Sequence, residues 1–338
     1  MGTMALRMRR VLRPPHPLPP CRTPCRCASK TVGHGADQPL PVAIVGGGPV
    51  GLTLALLLSK LGVRTTVLER LSAPSSHPQA HFINVRSMEV FRSLLDRDGR
   101  SVAEAITALA RPREEWSRFL YSAGPVLGGV SLGATHHFPP ETLAAIRGQS
   151  PELPTHLPQH QLVPLLLDAI AHRPTHAAPC DVRWGAHCTS IAQRAEGGAM
   201  LGLSDGSSLA ARRVVCCDGA NSPAREQLGL PLRPLDPMEQ PMVNVHFTSA
   251  TLARALIETD TAAMLYFVYA PDVIGVVVAH NLGTGEFALQ LPSFGPALTP
   301  DELAARYTPS VCARLVRLAT VGGDHPQGEV ASDIEVLS

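Results

Sequence analysis

The chain has 338 residues, 45% hydrophobic and 17% charged, which excludes a disordered polymer; at about 150 residues per domain it has room for two domains. A formal net charge of +1 hides an asymmetry: residues 1–39 hold seven basic side chains and a single acid, Asp37, so they carry +6 and the remainder −5. That remainder offers no basic face to nucleic acid, and no run of about 18 apolar residues marks a membrane span.

In residues 1–39, Pro14, Pro15, Pro17, Pro19 and Pro20 forbid a long helix, and only residues 4–12 read as a short basic amphipathic one. An arginine-rich, acid-poor leader of this kind predicts a transit peptide, mitochondrial rather than plastid; the alternative is a disordered basic tail. Of eight cysteines, Cys21, Cys25 and Cys27 lie in the leader, Cys216 and Cys217 are adjacent, and the others are scattered. This is neither a disulfide framework nor a zinc ligand set, so reduced thiols and no metal are expected.

The next stretch, PVAIVGGGPVGLTLALLLSKLGVRTTVLER, is the most informative in the chain. Residues 42–45 are a short β-branched run suited to a buried parallel strand. Gly46, Gly48 and Gly51 follow as G-x-G-x-x-G, residues 50–61 are apolar without a breaker, and residues 63–68 read as a second strand. Gly46 permits the tight turn, Gly48 lets backbone approach a pyrophosphate, and Gly51 lets helix and strand pack closely. The helix N-terminus supplies free N–H groups and partial positive charge. Glu69, 18 residues after Gly51, is placed to accept hydrogen bonds from a ribose diol. A dinucleotide site follows; whether it takes FAD or NAD this stretch does not decide.

A helix is expected from about Ser87, capped by that serine and stopped by Gly99, with another over Val102–Leu109. Residues 124–140 are glycine-rich and show no regular pattern; His136 and His137 sit there as loop histidines. Residues 162–170 form an apolar helix face with Pro164 in its first turn and Gln159 just before it. Three β runs follow, over residues 184–191, 199–204 and 209–217, the last ending in Asp218-Gly219 and a short polar helix. A strand ending that way makes a second ligand-shaped corner, because strand carboxyl ends face the binding crevice of an α/β sheet. Four apolar strands come next, at residues 243–248, 263–269, 273–280 and 287–292, predicting an antiparallel meander. Residues 300–318 read as one helix, and the last residues begin a strand.

Together these pieces resemble the FAD-dependent aromatic monooxygenases of the para-hydroxybenzoate hydroxylase and phenol hydroxylase type. The resemblance runs from Val42 to the C-terminus and rests on the glycine stretch, on HPQAHFINVRSMEVFR with LPQHQLVPLLLDA, and on RRVVCCDGANSPAREQLGL. The last matches the family's C-D-G-A-x-S-x-x-R motif. It implies an α/β fold: a Rossmann-like FAD-binding domain from residues 40–120 and 155–230, an irregular insertion at 121–154, and an interposed antiparallel substrate-domain sheet at 231–338, incomplete at its end. It implies that Gly46, Gly48 and Gly51 cradle the FAD pyrophosphate, that Glu69, with Arg70 beside it, holds the adenosine ribose, and that Gln159 contacts the flavin side. Asp218 and Gly219 are implied near the pyrophosphate and in seating NADH or NADPH. Arg225 closes that motif, and Arg86 is a further candidate for a nucleotide contact.

The implied reaction is hydroxylation of a small phenolic or aromatic substrate by O2 through a flavin C4a-hydroperoxide, with His246, Tyr266 and Tyr269 as candidates facing the substrate. A flavin-dependent reductase or dehydrogenase, or a truncated FAD-binding protein without activity, are the alternatives. Gln79, Val163 and Asn221 stand where many members have arginine, glutamate and arginine. The family's second FAD motif, Gly-Asp-Ala-Ala-His, is not found before Ser338, and Gly323-Asp324-His325 does not match it. The resemblance therefore reads as C-terminally truncated.

Overall fold

The computed structural model describes residues 38–231, 242–292, 298–322 and 332–338. The leader (residues 1–37), with its expected transit peptide, and Gly323-Asp324-His325 lie outside them. Residues 39–338 form one compact unit.

The apolar run Leu40–Val45 is strand β1, and Pro49–Lys60 is helix α1, its first position taken by a proline whose missing N–H costs nothing there. Strand β2 (Thr65–Glu69) pairs parallel to β1. Two-residue strand β3 (Phe82–Ile83) leads into helix α2 (Val85–Arg92). The cap of α2 is Asn84, whose Oδ1 accepts from Ser87 N at 2.8 Å, so Ser87 lies inside the helix rather than capping it. Nor does the helix run to Gly99. It stops at Arg92, and Asp96 then gathers a turn by accepting from the backbone N–H of Asp98 and Arg100. Helix α3 (Val102–Leu109) has the expected bounds and a Ser101–Glu104 capping box.

Residues 121–154, expected to be irregular, are ordered. Strand β4 (Arg118–Ala123) and strand β5 (Val130–His136) form an antiparallel pair, and helix α4 (Pro140–Arg147) follows. The glycines that blurred the pattern work in the hairpin: Gly124 has φ +108°, and a Cβ on Gly129 would meet Pro125 O at 2.4 Å. Strand β6 (Thr155–His156) pairs with β3.

Helix α5 (Gln159–Ala171) starts earlier than its apolar face suggested, because Pro158 serves as its cap. Pro164 therefore stands inside the helix, not in its first turn; its ring is exposed, where loss of one backbone hydrogen bond is best tolerated.

The expected run over residues 184–191 is two strands, β7 (Cys180–Trp184) and β8 (Cys188–Gln193), broken where Gly185 turns with φ +70°. Strands β9 (Ala199–Leu203) and β10 (Ser208–Cys216) and short helix α6 (Pro223–Gln227) complete this half. The sheet order is β7-β2-β1-β10-β9-β8, parallel across its first four strands and antiparallel across the last three. Ile44, Val67 and Cys180 pack on one face against α1, α3 and α5, while Ala43, Val45 and Leu201 form a smaller core on the other.

In the second half, strand β11 (Met242–Thr248), helix α7 (Ala250–Glu258) and strands β12 (Leu265–Ala270), β13 (Val273–Asn281) and β14 (Glu286–Pro292) occupy the expected meander. Helices α8 (Pro300–Arg306) and α9 (Pro309–Val321) replace the single expected helix, because the residue before Pro309 is driven out of helical backbone. The short strand β15 (Glu335–Val336) closes the chain. The order is β15-β11-β14-β13-β12-β4-β5, and β4 runs parallel to β12, so this sheet is mixed rather than purely antiparallel. Alternation sends Val245, Phe247, Tyr266, Val268, Val277, Phe287 and Leu289 into a core with α7 and α9. Among the described residues no helix is long and apolar enough to cross a membrane.

Candidate functional site

The carboxyl ends of β1, β2 and β10 and the N-terminus of α1 surround a cleft of about 450 Å³. Gly46, Gly48, Glu69, Arg70, Gln159, Asp218 and Gly219 all line it, although they come from four separated stretches of sequence. The three glycines differ in what they do. Gly46 has φ +106°, and a Cβ there would stand 2.3 Å from Cys217 O. A Cβ on Gly51 would stand 2.0 Å from Gly46 O, so this glycine sits behind the turn and allows α1 to pack on it. A Cβ on Gly48 would meet nothing within 4 Å: that position opens into the cleft. Gly48 also caps α1 without any side-chain hydrogen bond, and the first turn carries no acid, so its N–H groups and partial positive charge face the cleft unneutralised.

Glu69 ends β2 and braces the glycine turn. Its Oε2 accepts from Gly47 N at 2.7 Å and its Oε1 from Leu71 N at 2.9 Å. Each oxygen retains acceptor capacity for a diol. Opposite it, Asp218 Oδ2 accepts from Ala224 N at 3.3 Å, and Gly219 turns with φ +91°. Arg225 does not line the cleft; its Nη1 donates to Ala220 O at 2.6 Å and so holds the Asp-Gly corner from behind. Arg86 is also away from the cleft, 81% exposed and paired with Glu89 at 2.9 Å on α2.

Trp184, His187, Cys188 and Cys217 are cleft-lining residues that sequence reasoning did not single out. For Trp184, His187 and Cys188 the signal was Gly185, whose turn after β7 bends this segment over the end of β2: Gly185 N donates to Leu71 O and Ala186 N to Glu69 O; Cys217 instead follows β10, its N–H donating to Val45 O. Burial pushes the Cys188 and Cys217 thiols up, which keeps them protonated.

A second cavity, about 430 Å³ and mostly apolar, lies among α1, β3, α2 and α5, with Gln159 on its wall as well. His81 lines it, and behind His81 stand His156 and His280, with ring centroids 5.0 and 5.1 Å away. Burial holds all three neutral, lowering their pKa values to about 4, about 3 and about 2. Of the candidates on the seven-stranded sheet, Tyr266 points into the helix-covered core, where its hydroxyl donates to Thr261 O and accepts from Ala263 N. It faces no cleft, and burial raises its pKa. Tyr269 is on the other face and 46% exposed. His246 is on that face too, buried, with Nε2 3.1 Å from Glu286 Oε1.

Residues 39–321 match a family model described as an FAD binding domain. The chain is 30% identical over 294 residues to aklavinone 12-hydroxylase of Streptomyces peucetius, covering 82% of this chain and 54% of that protein. It is 31% identical over 199 residues to 2,4-dichlorophenol 6-monooxygenase of Delftia acidovorans, covering 56% and 31%. The crystal structure of aklavinone-11 hydroxylase with FAD and aklavinone superposes with a TM-score of 0.68 at 25% identity, over 89% of this chain and 53% of that one. That of the flavin-dependent monooxygenase PieE with FAD and substrate gives 0.67 at 26% identity, over 89% and 48%. The chain thus spans about half the length, or less, of the relatives it matches. The open Gly48 position, the uncapped helix end and the carboxylate at the end of β2 suit a dinucleotide's pyrophosphate and ribose, and with the match over residues 39–321 the chain belongs to the FAD-binding domain family.

Proposed function

We propose that this protein is an FAD-dependent monooxygenase that hydroxylates a phenolic or other aromatic substrate, with NADH or NADPH and O2 as co-substrates. The observation that carries the reading is the convergence of seven residues, from four chain segments, on one cleft whose glycine end is open. Bound FAD would supply the redox and oxygen chemistry. The chain's own residues bind and orient. Gly46, Gly48 and the N-terminus of α1 hold the pyrophosphate with the Asp218-Gly219 corner near it, where that corner also helps seat NADH or NADPH; Glu69 with Arg70 holds the ribose, and Gln159 contacts the flavin side.

An aromatic substrate finds a matching surface on the face of the seven-stranded sheet that α7 and α9 leave free. Tyr121 and Phe267 stack there with centroids 4.8 Å apart and planes at 12°, beside Phe119 and the exposed Tyr269. Such flat rings favour a planar aromatic partner. The names of the relatives, a dichlorophenol monooxygenase and hydroxylases of aklavinone, support the same substrate class.

The test is to purify the full chain, add FAD, and follow flavin absorbance, NAD(P)H oxidation and O2 uptake with and without 2,4-dichlorophenol. Flavin uptake and phenol-stimulated oxidation with O2 consumed are expected. NAD(P)H oxidation without O2 consumption selects the reductase or dehydrogenase reading, and flavin uptake without any oxidation an FAD-binding protein without activity. We also propose that the basic leader directs the protein to mitochondria, with plastids as the alternative. Residues 1–39 fused to a fluorescent protein are expected to co-localise with a mitochondrial dye, and a diffuse signal rejects the proposal.

A further inference from the structure

The nucleotide half and the seven-stranded sheet meet along a line of histidines. From the nucleotide half come His77 and His81, on the loop before β3, His156 on β6 and His160 on the first turn of α5; from the sheet come His246 on β11 and His280 on β13. They face one another across the seam. His77 and His246 have ring centroids 5.5 Å apart, His81 and His280 5.1 Å apart, and His156 stands 5.0 Å from His81. One carboxylate stands among them: Glu286 Oε1, at the start of β14, lies 3.2 Å from His160 Nε2 and 3.1 Å from His246 Nε2. Four ring nitrogens of the cluster are buried without a partner in the protein, namely His81 Nδ1, His156 Nε2, His160 Nδ1 and His280 Nδ1.

The segments that carry these histidines also wall the nucleotide cleft. Pro74, Ser75 and Gln79, on the same loop as His77, line it, and so does Gln159 beside His160. We propose that the seam is an acid-opened latch: as pH falls, protons taken up by histidines that face one another across it part the sheet from the cleft wall, and the loosened wall releases FAD while both sheets stay folded. The inference rests on the FAD-dependent reading above.

Protonated imidazole donates from both ring nitrogens. In the closed seam the four orphaned nitrogens have no acceptor, and a buried donor left unpaired is costly. Water supplies the acceptor once the seam opens. Nor is there charge to absorb the protons. The titratable groups that face one another here are the six imidazoles and Glu286, and two histidines already share that single carboxylate. Burial is the main reason that His81, His156 and His280 hold pKa values of about 4, about 3 and about 2, and it lowers that of His246 too. The closed seam is thus the unprotonated form. It is complete above the ordinary histidine value of 6.5 and weakens as pH falls below it. Each histidine that gains its proton only on opening raises the open-to-closed ratio by up to about tenfold per pH unit.

The test measures FAD release from the loaded full chain by flavin fluorescence at about pH 7.5 and about pH 5.5, with far-ultraviolet circular dichroism alongside. Release is expected to be at least about tenfold faster at the lower pH with the dichroism unchanged, and His280→Leu should reduce that factor. Hydrogen exchange of the wild-type chain without FAD, corrected for the intrinsic pH dependence, gives a second readout. Peptides covering β14 and the first turn of α5 should lose protection at the lower pH while β1 and β10 keep theirs. Equal release rates at the two pH values, or protection lost together from β1, β10 and β14, overturns the latch and leaves the FAD reading standing. A chain that takes up no FAD at about pH 7.5 overturns the FAD reading, and with it the release of FAD, while the exchange pattern still decides whether the seam opens.

Discussion

Gly46 and Gly48 are two residues apart, yet they answer to different constraints. Gly46 needs its hydrogen side chain twice over, for φ +106° and for the Cys217 carbonyl that a Cβ would meet at 2.3 Å. Gly48 has φ −74°, which any residue adopts, and empty space where a Cβ would go. Gly46→Ala is therefore a folding defect. Backbone strain of this kind costs about 1–3 kcal/mol, and a loss of roughly 2–4 °C in Tm per kcal/mol should be visible by calorimetry. Gly48→Val should cost less, about 1 kcal/mol, because it only puts a poorer residue at the cap of α1. It should nevertheless weaken FAD by at least about tenfold, or 1.4 kcal/mol, in a flavin fluorescence titration. Equal FAD affinity in wild type and Gly48→Val would remove the pyrophosphate from this turn. Glu69→Gln probes the other end of the cleft. Gln can still accept from Gly47 N, so the turn should survive while the charge that favours a ribose diol over a 2′-phosphate is lost.

Between β3, β6 and β13 stand His81, His156 and His280, three imidazoles kept neutral by burial. Their folded pKa values lie below the ordinary 6.5, so the unfolded chain takes up protons first as pH falls. Their contribution to stability is complete above about pH 6.5 and declines as pH drops toward the folded values. One pH unit below 6.5 costs about 1.4 kcal/mol per histidine, so at most about 4 kcal/mol for the three. Urea midpoints measured between pH 7.5 and 5 should fall on the acid side, and His280→Leu should flatten the slope; an unchanged slope would mean that water reaches these rings. This contact was not legible in sequence, because it joins residues far apart on different elements. What was legible is local. The β1–α1–β2 unit shows itself through β-branched runs, glycine spacing and the acid at the strand end, and the Asp218-Gly219 corner through a strand that ends in a turn. The β4–β5 hairpin was hidden because its glycines read as loop, while β4 pairs with β12, 146 residues away. The cap of α2 was assigned to Ser87 because nothing in the composition separates a serine at the third helical position from one at the cap; only the Asn84 bond does. Trp184 and His187 entered the cleft through one glycine turn, which periodicity does not register.

Chain order and spatial order disagree across the whole molecule, and this bears on how it unfolds. The nucleotide sheet draws its strands from residues 40–69 and 180–216, while the seven-stranded sheet takes β4 and β5 from between them. Cutting the chain at any single point therefore strands part of one sheet with the other. The seam is bridged by His77 against His246 and by His160 against Glu286. A molecule interleaved in this way should lose both sheets together, as residues 39–338 form one compact unit. The two tryptophans report on different parts of it. Trp184 ends β7 at the nucleotide cleft, and Trp116, buried against His156 and Phe138, precedes β4. Urea unfolding of Trp116→Phe and Trp184→Phe variants, each followed by the remaining tryptophan, should give coincident midpoints once each is referred to its own circular dichroism curve. Adding FAD at about 100 times its Kd should raise both midpoints by the same free energy, about 2.7 kcal/mol. If only the Trp184 signal moves, the halves unfold separately, and FAD stabilises the nucleotide sheet without the substrate face that the hydroxylase reading requires.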